Sequence, residues 1–142
     1  MLLTSNSFNN NGKIPEKYTC DGQDINPPLE IENIPENAET LALIVDDPDA
    51  PNKTWVHWVV YDMPVRNSID ENSIPGTQGI NDFDKTDYGG PCPPSGTHRY
   101  FFKVYALDRK LGLKEGASKR ELEQAMQGHT LDNAELIGTY SR

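Results

Sequence analysis

Thr40-Leu41-Ala42-Leu43-Ile44-Val45, then Asp46-Asp47-Pro48-Asp49-Ala50-Pro51, then Trp55-Val56-His57-Trp58-Val59-Val60-Tyr61 follow one another with only residues 52–54 intervening. The first run is apolar at successive positions, so a strand there is covered on both faces and belongs in the middle of a sheet. The last run is rich in aromatic and β-branched residues, which suit a pleated, packed surface. Between them lies an acidic loop whose two prolines fix much of its backbone, a way of holding a side chain in place. The Ala50–Pro51 bond also admits a cis isomer.

A third strand is expected from Arg99 to Leu107. Tyr100, Phe102, Val104 and Ala106 fall on one face by the two-residue period, with Arg99 and Lys103 on the other. Leu29-Glu30-Ile31 and Ala134 to Tyr140 are weaker strand candidates. Turn formers such as Asp21-Gly22, Asn26-Pro27-Pro28, Pro64 and Pro75-Gly76 punctuate the chain throughout, which argues for short, mostly antiparallel strands in one domain spanning 1–142. One helix is clear. Ser118-Lys119-Arg120-Glu121 fits a capping box, Leu122, Ala125 and Met126 recur at helical spacing, and Gly128 can end the element. A short helical turn is expected near Asn67 to Asn72. The fold class is mainly β, with one or two peripheral helices.

Composition narrows the function. Lys plus Arg number 13 against 22 Asp plus Glu, a net charge of -9. No basic stripe for nucleic acid is visible, and attraction to anionic membranes is disfavoured. No stretch approaches the roughly 20 apolar residues of a membrane span. Met1-Leu2-Leu3 runs straight into Thr4-Ser5-Asn6-Ser7 without a secretory pattern, so the chain reads as soluble and cytoplasmic. Cys20 and Cys92 are the only cysteines and lie far apart, neither a disulfide framework nor a zinc pattern, and both are expected to be free thiols.

The stretch richest in chemistry is Tyr88-Gly89-Gly90-Pro91-Cys92-Pro93-Pro94-Ser95-Gly96-Thr97-His98-Arg99-Tyr100. Three prolines exclude a helix, and three glycines allow close backbone approach to a ligand. His98 and Tyr100 then point to the same side of the following strand. His57 sits inside an apolar strand, where a buried imidazole needs a partner. It reads either as a core histidine bonded to backbone or as a ligand-binding group. Asp49 reads as a loop-holding residue. His129, just past the helix end, reads as structural, a cation favourable beside a helix C-terminus.

Asp47-Pro48-Asp49-Ala50-Pro51, the following His57, and Gly96-Thr97-His98-Arg99-Tyr100 together resemble the phosphatidylethanolamine-binding protein family, in its shorter bacterial and archaeal branch. Ile14-Pro15-Glu16-Lys17-Tyr18-Thr19-Cys20-Asp21-Gly22, Asn26-Pro27-Pro28-Leu29 and Ala134-Glu135-Leu136-Ile137-Gly138-Thr139-Tyr140 look like segments of the same family, so the resemblance covers nearly the whole chain. It implies an antiparallel β-sandwich with a small preformed anion pocket at one end, built from Asp47, His57, His98 and Tyr100. Pro51, Gly90 and Cys92 fall where the family's loops line the rim. The C-terminal helix of the eukaryotic, Raf kinase inhibitor-like members is not part of the resemblance.

The residues themselves agree with an anion pocket. Two imidazoles, a phenol and loop amides can donate to phosphate or carboxylate oxygens, and Asp47 can accept from an imidazole N–H, fixing its tautomer. Arg99 points away from this group by strand alternation. The leading expectation is a non-enzymatic binding or regulatory protein for a phosphate-bearing or other small anion, needing no cofactor. The alternative is a hydrolase using Asp47, His57 and His98, with or without a metal. Against nucleophilic chemistry, there is no G-x-S-x-G elbow and no evident activation of Cys92. A third reading, taken from the resemblance, is inhibition of a protein kinase or protease by surface contact. A modest apolar face admits a homodimer.

Overall fold

The computed structural model describes all 142 residues, Met1–Arg142. Nine strands form in chain order: β1 (Leu2–Thr4), β2 (Gly12–Lys13), β3 (Leu29–Glu32), β4 (Thr40–Asp47), β5 (Trp55–Pro64), β6 (Ser68–Ile69), β7 (Thr77–Gln78), β8 (Thr97–Leu107) and β9 (Thr130–Ser141). A 3-10 turn at Glu16–Tyr18 and one helix, α1 (Lys119–Met126), complete the elements. The fold is mainly β, as expected. The helical turn expected near Asn67 to Asn72 is absent, because Ser68–Ile69 pairs with Leu29–Glu30 as a sheet edge and the chain then turns.

The strands make two open sheets, β1-β3-β6 and β2-β9-β8-β4-β5-β7. All pairings are antiparallel except β2 with β9, which is parallel. β4 lies inside the larger sheet, and all eight of its residues are buried. Its odd-numbered apolar residues Leu41, Leu43 and Val45 face the smaller sheet. There they join Ile31, Ile69, Trp58, Val60, Phe102 and Val104 in the main core. Its even-numbered Ala42 and Ile44 face the other way and pack with Val59, Tyr61 and the α1 residues Leu122 and Met126. The unbroken apolar run of β4 is thus the signature of a sheet covered on both sides.

The helix forms as its capping box dictates. Ser118 Oγ accepts from the Glu121 N–H at 3.1 Å, and Glu121 Oε1 accepts from the Ser118 N–H at 3.2 Å. Gly128, at φ +79°, takes the left-handed position past the end of α1 that a Cβ would disfavour. An ion pair docks the helix to the sheet: the buried carboxylate of Asp46 accepts from Lys103 Nζ at 3.1 Å and Lys119 Nζ at 2.8 Å.

Two irregularities interrupt the pairing of β5 with β4. Val45 faces Trp58 but Asp46 faces Val56, so His57 is an extra residue, a β-bulge. A second shift falls between Leu41 and Leu43. It accompanies Asp62 at φ 52°, whose carboxylate accepts from the Leu111 and Gly112 N–H groups at 2.7 and 2.9 Å.

Cys20 and Cys92 are not free thiols; they form a disulfide, with Cα atoms 5.4 Å apart. Their separation of 72 residues hid the pairing. The turn after the 3-10 segment packs on the Gly-Pro loop, where the Cys20 N–H donates to the Pro91 carbonyl at 3.1 Å. No peptide bond is cis, that of Ala50–Pro51 included. No helix is long and apolar enough to cross a membrane.

Candidate functional site

β5, β4 and β8 are neighbours, and antiparallel pairing brings the end of β4 beside the starts of the other two. Asp47, His57, His98 and Tyr100 therefore meet at one end of the sandwich. All four line a single cavity of about 320 Å³, a volume at the small end of small-molecule sites. Strand alternation accounts for Asp47, His98 and Tyr100, which share the inner face with Val45 and Phe102. It does not account for His57, which regular pairing would turn toward α1 with Val59. The bulge re-aims it, and its ring packs edge-on to Tyr100 with centroids 5.2 Å apart.

The hydrogen bonds assign the ring nitrogens. His57 Nδ1 lies 2.7 Å from the Gly89 carbonyl oxygen, which can only accept, so Nδ1 carries the proton. His57 is buried, and burial pushes its pKa below the ordinary histidine value, against the opposing pull of the Gly89 carbonyl and the charge of Asp47. At neutral pH it is an uncharged imidazole with a lone pair on Nε2. His98 donates from Nδ1 to Asp47 Oδ2 at 2.7 Å, and both groups are buried. The other carboxylate oxygen of Asp47 accepts from the Asp49 N–H at 2.7 Å. Asp47 thus holds the loop and the imidazole at once. Neither Nε2 atom has a partner within the protein.

Tyr100 carries the most informative atom of the site. Its hydroxyl is the one buried side-chain polar atom in the molecule with no hydrogen-bond partner. Burial, followed by the charges of Asp47 and Asp49, raises its pKa, so the phenol stays protonated and able to donate. Buried polar groups are almost always paired, so an orphan in a cavity wall calls for an occupant.

Pro51 and Cys92 also line this cavity, whereas Gly90 does not. Gly90 lines an adjoining depression of about 450 Å³ that shares Phe83 and Cys92 with the first. A Cβ at Gly90 would lie 2.3 Å from the Tyr18 carbonyl oxygen, and its N–H donates to Asp24 Oδ1 at 2.7 Å, so its place is set by loop packing. Asp49 faces outward, where its carboxylate takes the N–H, Nε and Nη2 of Arg99, all at 2.9 Å. The Arg99 guanidinium holds the Asp49 carboxyl below the usual range. His129 pairs with Asp108 at 2.9 Å, far along the sheet from the cavity.

Phe83 is a wall residue that the sequence did not single out. It stacks edge-on against both His57 and Trp55, with centroids 5.4 and 5.6 Å apart. It comes from a polar segment with no apolar period, and Asn81 beneath it supplies the only hint. That buried amide accepts from the Phe83 and Lys85 N–H groups and donates to the His57 and Asp87 carbonyls. No group of three or more His, Cys, Asp or Glu residues is arranged to hold a metal ion.

A family model described as phosphatidylethanolamine-binding protein matches residues 4–141. The chain belongs to that family. A UPF0098 protein of Methanothermobacter thermautotrophicus is 49% identical over 150 aligned positions, covering 100% of this chain and 99% of the relative. Among solved structures, a chain from Chlamydia trachomatis described as a homologue of the family superposes with a TM-score of 0.96 at 42% identity, covering 99% of this chain and 97% of that one. YbcL of Escherichia coli, described as a new member of the mammalian family, gives a TM-score of 0.92 at 28% identity, with coverages of 99% and 98%. Membership of this family supports a binding-type protein.

Proposed function

We propose that the cavity captures a small anionic group, a phosphate, a phosphomonoester headgroup or a carboxylate, and holds it without transforming it. The observation that carries this reading is the unpaired buried phenol of Tyr100, a donor without an acceptor on a residue that lines the same cavity as two imidazoles. His98, aligned by the Asp47 carboxylate, adds a charged donor from Nε2 when protonated. His57 adds a lone pair, which accepts from a ligand bearing its own proton or takes up a proton as a fully ionised anion enters.

The sign of the pH dependence follows. Burial lowers the pKa of free His57, which is therefore neutral at neutral pH, so an anion that protonates it binds with proton uptake. Affinity is then greatest on the acid side and falls, by at most about tenfold per pH unit and per proton, as pH rises through the bound-state pKa. Calorimetry with inorganic phosphate, and with sulfate as an anion whose charge stays constant, measures this across the histidine range. Tyr100→Phe is expected to weaken phosphate roughly tenfold, the loss of one hydrogen bond to a charged group. It should leave the empty protein no less stable, because the hydroxyl it removes has no partner. Affinity unchanged in both Tyr100→Phe and His98→Ala would overturn the reading.

The Asp47–His98 pair is the observation that favours hydrolysis, since a carboxylate-aligned imidazole can take a proton from water. Against it, the sulfur of Cys92 is committed to a disulfide, and no serine or threonine hydroxyl lines the cavity. Turnover of a phosphomonoester and carboxylic ester panel, abolished by His98→Ala, would establish the enzyme instead. Regulation of a kinase or protease through the outer surface would survive His98→Ala in a pull-down.

A further inference from the structure

The wall of the cavity contributed by Cys92, Pro93 and Pro94 is unusual in how little holds it. The last main-chain hydrogen bond before it reaches the Pro91 carbonyl, and the next after it is the reciprocal pair between Gly96 and Arg142, at 2.9 and 3.1 Å. Pro93 and Pro94 have no N–H to offer. No backbone hydrogen bond ties residues 92 to 95 to the rest of the molecule. The bond from Cys92 to Cys20 is their one covalent tether, and both cysteines are exposed to solvent. Pro93 is buried while Cys92, Pro94 and Ser95 are exposed, so the packing of one proline ring and this tether are what order the segment.

We propose that the Cys20–Cys92 disulfide is a redox latch on this wall: a dithiol reductant releases residues 92–95 and weakens the cavity's hold on its anion. The second half of that statement rests on the anion reading above; the first does not. A thiolate of the dithiol attacks Sγ of the exposed Cys20, the S–S bond breaks, and its electron pair leaves on Cys92 sulfur. Arg142 Nη1 lies 3.5 Å from that sulfur, with Nη2 held by Asp21 Oδ1 at 3.1 Å, so a cation already faces the leaving thiolate. The reductant's second thiolate then displaces Cys20 from the mixed disulfide. The reductant ends as a disulfide, and its two protons end on Cys20 and Cys92. By linkage, an anion that prefers the latched form must make the bond harder to reduce by the same factor.

The full chain is equilibrated in dithiothreitol redox buffers with and without inorganic phosphate, and amide exchange is followed in each state. Reduction is expected to lower protection of the Cys20 and Gly96 amides at least about tenfold, to well below that of Ile44 and Val45, which exchange only on global unfolding; that gap defines local release. Phosphate affinity is expected to fall roughly tenfold, with the midpoint potential about 30 mV more negative at saturating phosphate. Unchanged protection at Cys20 and Gly96 overturns the latch. So does convergence of all four amides on one level of protection in the reduced state, which would make the bond a staple for the whole fold. Released amides with equal phosphate affinity in both states overturn control of the cavity. Released amides with phosphate bound by neither state support the latch and count against the anion reading instead.

Discussion

His57 shows how a single side chain can be both core and site. Its Nδ1–H satisfies the Gly89 carbonyl, as a core histidine must, while Nε2 is left for the cavity. Burial holds its pKa down, so the native state resists charging it while the unfolded chain takes up a proton near 6.5. The stability this contributes is complete above about 6.5 and is lost as pH falls toward the lowered native value. Urea unfolding at a series of pH values should show wild type losing stability over that acid window. His57→Gln should lack that component; parallel profiles for the two proteins would exclude it. The two readings of this residue, backbone-bonded core or ligand group, were alternatives in the sequence and are compatible in the structure.

Among the elements, α1 has a boundary written in local chemistry. Ser118→Ala removes the cap on the Glu121 N–H and should cost about 1 kcal/mol, read as a lower urea midpoint with phosphate affinity unchanged. Such local signals made β4, β5, β8 and α1 legible, because each has a strong period or a cap of its own. β1, β2, β6 and β7 have two or three residues each and no period to read; they exist because longer neighbours offer an edge. Ser68–Ile69 failed as a helix for that reason. At the site, Asp47, His98 and Tyr100 follow from alternation along two strands. Phe83 and the place of Gly90 beside the neighbouring depression depend on how remote loops pack, and the bulge at His57 depends on the register of β4 against β5. None of these is a property of its own segment.

For the molecule as a whole, the least legible feature was the disulfide, because proximity across 72 residues is made by the fold and not by spacing. It joins the N-terminal turn to the loop between β7 and β8, closing a long loop in the unfolded chain. Replacing both cysteines, Cys20→Ser with Cys92→Ser, should lower unfolding free energy by about 2–4 kcal/mol, measured by urea titration without reductant. A midpoint equal to wild type would show that the native packing already supplies that constraint.

The supernumerary residue in β5 has a reach beyond its own position. It lets two consecutive side chains, His57 and Trp58, share one side of the sheet. Deletion of one residue just ahead of His57 would restore strict alternation, swing the imidazole over to the helix side, and leave every core partner from Trp58 onward where it was. The architecture and the hollow are therefore separable in heredity: a descendant could rebuild the cavity wall in one step and keep its shape.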